Sequence, residues 1–114
     1  EPSVRAVTSR ALRAMGFEVA EAADGQEAVE VYARERGRVR LVLLDMTMPR
    51  MSGEAALRAI RELDPGAKVV LMSGYTEQDA QEQVGGGLAG FLQKPYELGA
   101  LRETVRRALG EDTG

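Results

Sequence analysis

Three residues of this chain, Asp45, Ser73 and Lys94, could together manage a phosphoryl group. A carboxylate can attack phosphorus as a nucleophile, a hydroxyl can hydrogen-bond one phosphoryl oxygen, and an ammonium can neutralise another. Each of them ends an apolar run: Leu-Val-Leu-Leu leads into Asp45, Val-Val-Leu-Met into Ser73-Gly74, and Phe-Leu-Gln into Lys94-Pro95. Short runs rich in branched side chains suit strands buried in a parallel sheet, and the carboxyl edge of such a sheet is where ligands bind. Singly, each residue also has a plain structural role. Asp45 or Ser73 can cap a turn, and Lys94 can be a solvated charge. Their arrival together at one edge is what favours chemistry.

The segments between these runs must position them. From Pro2 to Gly16, Val4, Val7, Ala11, Leu12 and Met15 recur at helical spacing with Arg5, Arg10 and Arg13 opposite, which predicts an amphipathic helix stopped by glycine. Phe17 to Ala22 alternates and predicts a short strand near a sheet edge. Asp24 to Glu27 has capping-box spacing and opens a second helix with Ala28, Val29, Tyr32 and Ala33 inward. The central strand runs to Asp45, followed by a loop around Pro49 and Gly53 and a helix from Glu54 to Leu63. Lys68 to Met72 is the next strand, Thr76 and Asp79 start a short helix, and Phe91-Leu92 forms the last strand. A final helix turns Leu98, Leu101, Val105, Ala108 and Leu109 inward. Strands alternating with helices in this way predict an α/β fold, a parallel sheet covered on both faces.

Composition narrows the chemistry further. The 114 residues suffice for one domain, with 44% hydrophobic and 29% charged residues. No apolar run is long enough to cross a bilayer, so no membrane insertion is expected. Without cysteine there are no disulfides or thiolate chemistry, and without histidine the commonest general base and transition-metal ligand are missing. A hard cation held by oxygen remains open. A net charge of -3 with interspersed signs gives no nucleic-acid footprint, and a cytoplasmic setting fits the whole. Gly85 to Gly90 spells G-x-G-x-x-G, but it precedes a strand and opens no helix, so it is not a dinucleotide site.

The motifs Leu-Leu-Asp-Met-Thr-Met-Pro-Arg-Met-Ser-Gly at 43 to 53, Val-Leu-Met-Ser-Gly-Tyr at 70 to 75 and Gly-Phe-Leu-Gln-Lys-Pro-Tyr at 90 to 96 resemble those of response regulator receiver domains. The second and third also look like receivers attached to hybrid sensor histidine kinases. The resemblance implies a flavodoxin-like three-layer sandwich with strand order 2-1-3-4-5. It implies that Asp45 is the phosphoacceptor, Ser73 the hydroxyl that follows the phosphoryl group, Lys94 its cationic partner and Phe91 the switch aromatic. Thr47 would offer its backbone carbonyl to Mg²⁺, and the bond before Pro95 would be cis. Tyr75 would stand near the path of the water that hydrolyses the phosphoryl group. The implied partner is a sensor histidine kinase or a histidine phosphotransfer protein, and a homodimer through the last helix is one assembly the resemblance allows. Two other readings compete. A haloacid-dehalogenase-like phosphohydrolase would want a second aspartate where Thr47 stands, and a receiver-like interaction module would work without phosphorylation.

The departure from the family lies at the amino end. Glu1-Pro2-Ser3 resembles the segment just after the family's first strand and its acidic, Mg²⁺-holding pair, so the resemblance leaves that strand and that pair out of this chain. Buried backbone groups must be paired, so something is expected to lie between the second and third strands of the family's order. The expectation, in order of preference, is a strand preceding Glu1, a strand donated by a neighbouring copy, or direct pairing of Phe17–Ala22 with Val39–Leu44.

Overall fold

The apolar runs become parallel strands. The structure, a computed structural model, describes residues 2–22, 24–45, 53–74, 76–84 and 87–110. In chain order the elements are α1 (Pro2–Ala14), α2 (Gly25–Arg34), a 3-10 turn at Arg36–Arg38, β1 (Val42–Asp45), α3 (Gly53–Leu63), β2 (Val69–Ser73), α4 (Glu77–Val84), β3 (Gly90–Gln93) and α5 (Leu98–Ala108). Among the described residues the sheet has three strands in the order β1-β2-β3, all parallel. Val42 pairs with Val69 and Asp45 with Met72, while Val70 pairs with Gly90 and Ser73 with Gln93.

Strand alternation sorts the apolar side chains onto two faces. On one face Val70 and Leu92 pack with Leu12, Leu101, Val105 and Ala108 from α1 and α5. On the other, Leu44, Val69 and Leu71 pack with Ala56, Leu57 and Ala80 from α3 and α4. The expected three layers are therefore present. Gly90 is required where β3 passes under α5, since a Cβ there would lie 2.9 Å from Thr104 Cγ2. Gly16, at φ +99°, ends α1 in a conformation that glycine adopts without a Cβ penalty. Asp24 caps α2 by accepting the Glu27 N–H at 2.8 Å, as the capping-box spacing predicts.

The fold corrects the expected burial of three helical residues and the expected edge strand. The helical period turns Val7 and Leu98 inward, yet they are 49% and 51% exposed, because each lies beyond the stripe its helix presses on the sheet. Ala33 is likewise exposed, one position past Tyr32, which anchors its helix. Phe17–Ala22 is not a strand of the sheet. The segment keeps the alternation, with Phe17 and Val19 half-buried and Glu18 and Ala20 exposed, but it has no ladder with β1. Direct pairing of these two runs is thus not what the fold does.

A cavity of about 750 Å³ separates them. Residues 17–22 line one side and residues 39–45 the other, with Thr8, Leu12 and Val105 on one wall and Ala28, Val31 and Tyr32 on the opposite wall. It lies in the plane of the sheet between the helix layers. Residues 17–22 make exposed contacts with α1 and with the segment that leads into β1. Arg38 pairs with Glu18 at 3.2 Å, Arg13 pairs with Glu21 at 3.7 Å and donates to the Val19 carbonyl at 3.4 Å, and Arg40 lies 6.0 Å from the Phe17 ring centroid. The same cavity explains why β1 is mostly half-buried while β2 is almost wholly buried.

Tyr32 crosses from α2 to the end of α3, where its hydroxyl donates to Asp64 Oδ2 at 2.8 Å. Burial, with the Asp64 carboxylate beside it, raises the Tyr32 pKa, whereas the Tyr32 hydroxyl and the Gly66 N–H lower that of Asp64. Stability from the depressed carboxyl is complete above its unfolded pKa and is lost as pH falls through its lowered folded value.

One measurement checks the Tyr32–Asp64 contact. Tyr32→Phe should lower the melting temperature at neutral pH, and the difference from wild type should narrow as acid protonates Asp64; a gap that does not change with pH would remove Asp64 from the account.

Candidate functional site

Parallel register carries the three chemical residues to one edge. Asp45 is the last residue of β1 and Ser73 the last of β2, while Lys94 follows Gln93, the last residue of β3. Because Asp45 pairs with Met72 and Ser73 with Gln93, Ser73 lies one register step beyond Asp45 and Lys94 one step beyond Ser73, so the three polar residues converge on one edge. The loops leaving them are held by the buried strands beneath.

Lys94 Nζ donates to Asp45 Oδ2, a contact that joins the ends of β1 and β3 across the end of β2. The two side chains are 30% and 17% exposed, open enough for a ligand to reach and enclosed enough to weaken screening by water. Ser73 is 1% exposed, and its backbone carbonyl accepts the Lys94 N–H at 2.7 Å. Lys94 is therefore tied to both neighbours, to Ser73 through the backbone and to Asp45 through its ammonium. The Lys94–Pro95 peptide bond is cis.

Phe91 pairs with Leu71 in the sheet and lies half-buried against the cluster of Leu44, Leu57, Val69 and Ala80, on the α3/α4 side. The structure thus brings Asp45, Ser73 and Lys94 together and places Phe91 beneath them. Thr47 and Tyr75 lie outside the described residues.

Sequence reasoning misses two contributors near this edge. The Tyr96 hydroxyl meets Thr8 Oγ1 at 2.7 Å and lies 3.6 Å from Met72 Sδ. Their signal is faint: a tyrosine two positions after Lys94, and a threonine among the apolar residues of α1.

A divalent cation asks more than these residues give. Mg²⁺ favours octahedral oxygen coordination, usually with carboxylates among the donors. Among the described residues no three acidic, histidine or cysteine side chains cluster to hold a metal, and Asp45 is the carboxylate present at this edge. The described residues do not by themselves make a Mg²⁺ site.

Comparison with known proteins gives a consistent result. A family profile described as the response regulator receiver domain matches residues 1–106. The chain is 39% identical over 110 residues to the sensor kinase CckA of Brucella abortus, covering 96% of this chain and 12% of that protein. It thus spans about an eighth of that relative's length. It is also 34% identical to the chemotaxis protein CheY of Bacillus subtilis, over 82% of this chain and 78% of that protein. Among solved structures, the receiver domain of the hybrid histidine kinase CckA superposes with a TM-score of 0.80 at 37% identity, covering 96% of this chain and 92% of that one. The receiver domain of a sensor histidine kinase from Pseudomonas aeruginosa, solved with a magnesium ion in its active-site cleft, superposes with a TM-score of 0.83 at 27% identity, over 96% and 91% of the two chains. The fold is the feature that the solved structures show in common with this chain.

Proposed function

The chain belongs to the response regulator receiver domain family, the switch domains of two-component phosphorelays, and on that premise we propose that Asp45 is its phosphoacceptor. The observation that supports this most directly is the contact of Lys94 Nζ with Asp45 Oδ2 at the carboxyl edge of the sheet. A nucleophilic carboxylate and the cation needed to receive the incoming charge already stand together there.

In this reading a carboxylate oxygen of Asp45 attacks the phosphorus of a phosphohistidine on a sensor histidine kinase or a histidine phosphotransfer protein. The oxygen–phosphorus bond forms as the phosphorus–nitrogen bond breaks, and the electron pair returns to the imidazole nitrogen, which takes a proton. The product is an acyl phosphate. Lys94, paired with the carboxylate beforehand, then turns its ammonium to a phosphoryl oxygen, where negative charge has accumulated. Ser73 offers its hydroxyl to a second oxygen. Phe91, half-buried on the α3/α4 side, is the aromatic whose packing responds. Any bound Mg²⁺ would screen phosphoryl charge and would need oxygen donors beyond Asp45, the Thr47 carbonyl among them. The domain acts as a signalling switch and not as a turnover enzyme, and its phosphohistidine donor sets it in the cytoplasm.

Incubated with acetyl phosphate and Mg²⁺, the protein should gain a hydroxylamine-labile phosphoryl adduct, and Asp45→Asn should cut its formation by about 100-fold or more, because the nucleophile is gone at nearly constant volume. An adduct of undiminished yield on Asp45→Asn would move the acceptor elsewhere. Continuous phosphate release without an adduct would instead mark a phosphohydrolase. Lys94→Ala should weaken beryllofluoride binding by about tenfold or more, read from the shift of the amide spectrum, because it removes the charge that offsets the anion. Equal affinity in that variant would take Lys94 out of its role.

A further inference from the structure

Lys94 is a flexible side chain, and something must hold its backbone so that Nζ meets Asp45. One tie is the bond from the Lys94 N–H to the Ser73 carbonyl at 2.7 Å. The other lies two residues on. The Tyr96 hydroxyl meets Thr8 Oγ1 at 2.7 Å, a contact between residues 88 apart in sequence, and it lies 3.6 Å from Met72 Sδ, on the residue before Ser73. Thr8 is buried, and the Tyr96 ring packs against the cluster formed by Leu12, Val70 and Leu101.

Proton counting gives the contacts a direction. A tyrosine hydroxyl has one hydrogen to donate and lone pairs to accept. If Thr8 donates to Tyr96 and Tyr96 donates to the Met72 sulfur, each hydroxyl hydrogen is used once and both hydroxyls are satisfied. The segment from Lys94 to Tyr96 is then fixed at both ends to the end of β2, and at its far end also to α1.

We propose that the Thr8–Tyr96 hydroxyl pair is a latch that positions Lys94 against Asp45, so that the placement of α1 governs the charge partner of the acceptor. Tyr96 is a positioning residue: it touches no reacting atom and acts through Lys94. The latch rests on the phosphoacceptor reading of Asp45 and Lys94, but it makes a separate claim about how the ammonium is held.

The test compares Tyr96→Phe, Thr8→Val, the double variant and Thr8→Ser. Two quantities are followed: the nitrogen-15 NMR signal of the Lys94 ammonium, which is seen when the group is held in an ion pair, and the rate of adduct formation with acetyl phosphate. Tyr96→Phe and Thr8→Val should each broaden the Lys94 signal and slow adduct formation by about three- to tenfold, the scale of one lost hydrogen bond. The double variant should be no worse than Tyr96→Phe alone, because that substitution already removes the Thr8 contact along with the one to Met72. Thr8→Ser keeps the hydroxyl and should restore the wild-type signal. A Lys94 signal unchanged in Tyr96→Phe, even with a lowered melting temperature, would reduce the pair to a structural contact and overturn the latch. Additive losses in the double variant would also overturn it. Should the wild type form no adduct, the acceptor reading fails, while the Lys94 signal, read without phosphoryl transfer, still decides the latch.

Discussion

The structure depends on the double-sided pairing of β2. It is hydrogen-bonded to a parallel neighbour on each side, and four of its five residues are buried. A strand in that position cannot slip by one residue without sending Val69 and Leu71 to the α1/α5 face and Val70 to the α3/α4 face. Its register therefore fixes where β1 and β3 end, and through them where Asp45 and Lys94 stand. A parallel sheet also needs a helix between successive strands, so the polar ends of all three strands must fall on the same edge. Convergence of the three side chains follows from topology, and the ion pair between Asp45 and Lys94 only completes it.

That pair has consequences of its own. A lysine held against a carboxylate at a partly open edge already opposes one negative charge. On the proposed phosphoacceptor reading, a dianionic group in place of that single charge would strengthen the attraction on the ammonium. The groups around it determine how freely it can follow. Lys94 is fixed at its own amide by Ser73, and Tyr96 restrains the chain just beyond, so the mobile part is the side chain itself.

Much of this is legible in the sequence because it rests on short runs with strong signals. The strands at 42–45, 69–73 and 90–93 are apolar runs bounded by polar or turn residues, and capping chemistry marks the start of α2 at Asp24. Asp45, Ser73 and Lys94 are legible for the same reason, as polar residues that close apolar runs. Phe17–Ala22 is not. Alternation reports that one side of a segment is covered, but not whether a ladder partner lies beside it, and here a cavity lies there. Val7 and Leu98 fit a helical repeat while lying outside the strip that meets the sheet, and a one-dimensional period cannot show how wide that strip is. Tyr96 and Thr8 are invisible as a pair, because no local pattern links residues 88 apart.

The two faces of the sheet give the site two different neighbours. Phe91 and Leu92 are adjacent on β3, so they point to opposite layers: Phe91 toward α3 and α4, and Leu92 toward α1 and α5. Lys94 leaves the same strand just past them. A change at the carboxyl edge therefore has a short path into each layer, through the Phe91 ring on one side and through Tyr96 and Thr8 on the other. The first path runs through a partly buried aromatic packed on aliphatic side chains, which can shift with little directional penalty. The second runs through two hydroxyls with fixed geometry, which either meet or do not. On this division, packing that can shift joins the carboxyl edge to the α3/α4 layer and directional hydrogen bonds join it to α1, so under the proposed switching the backbone of Lys94 would be held on the α1 side while the Phe91 side is free to repack.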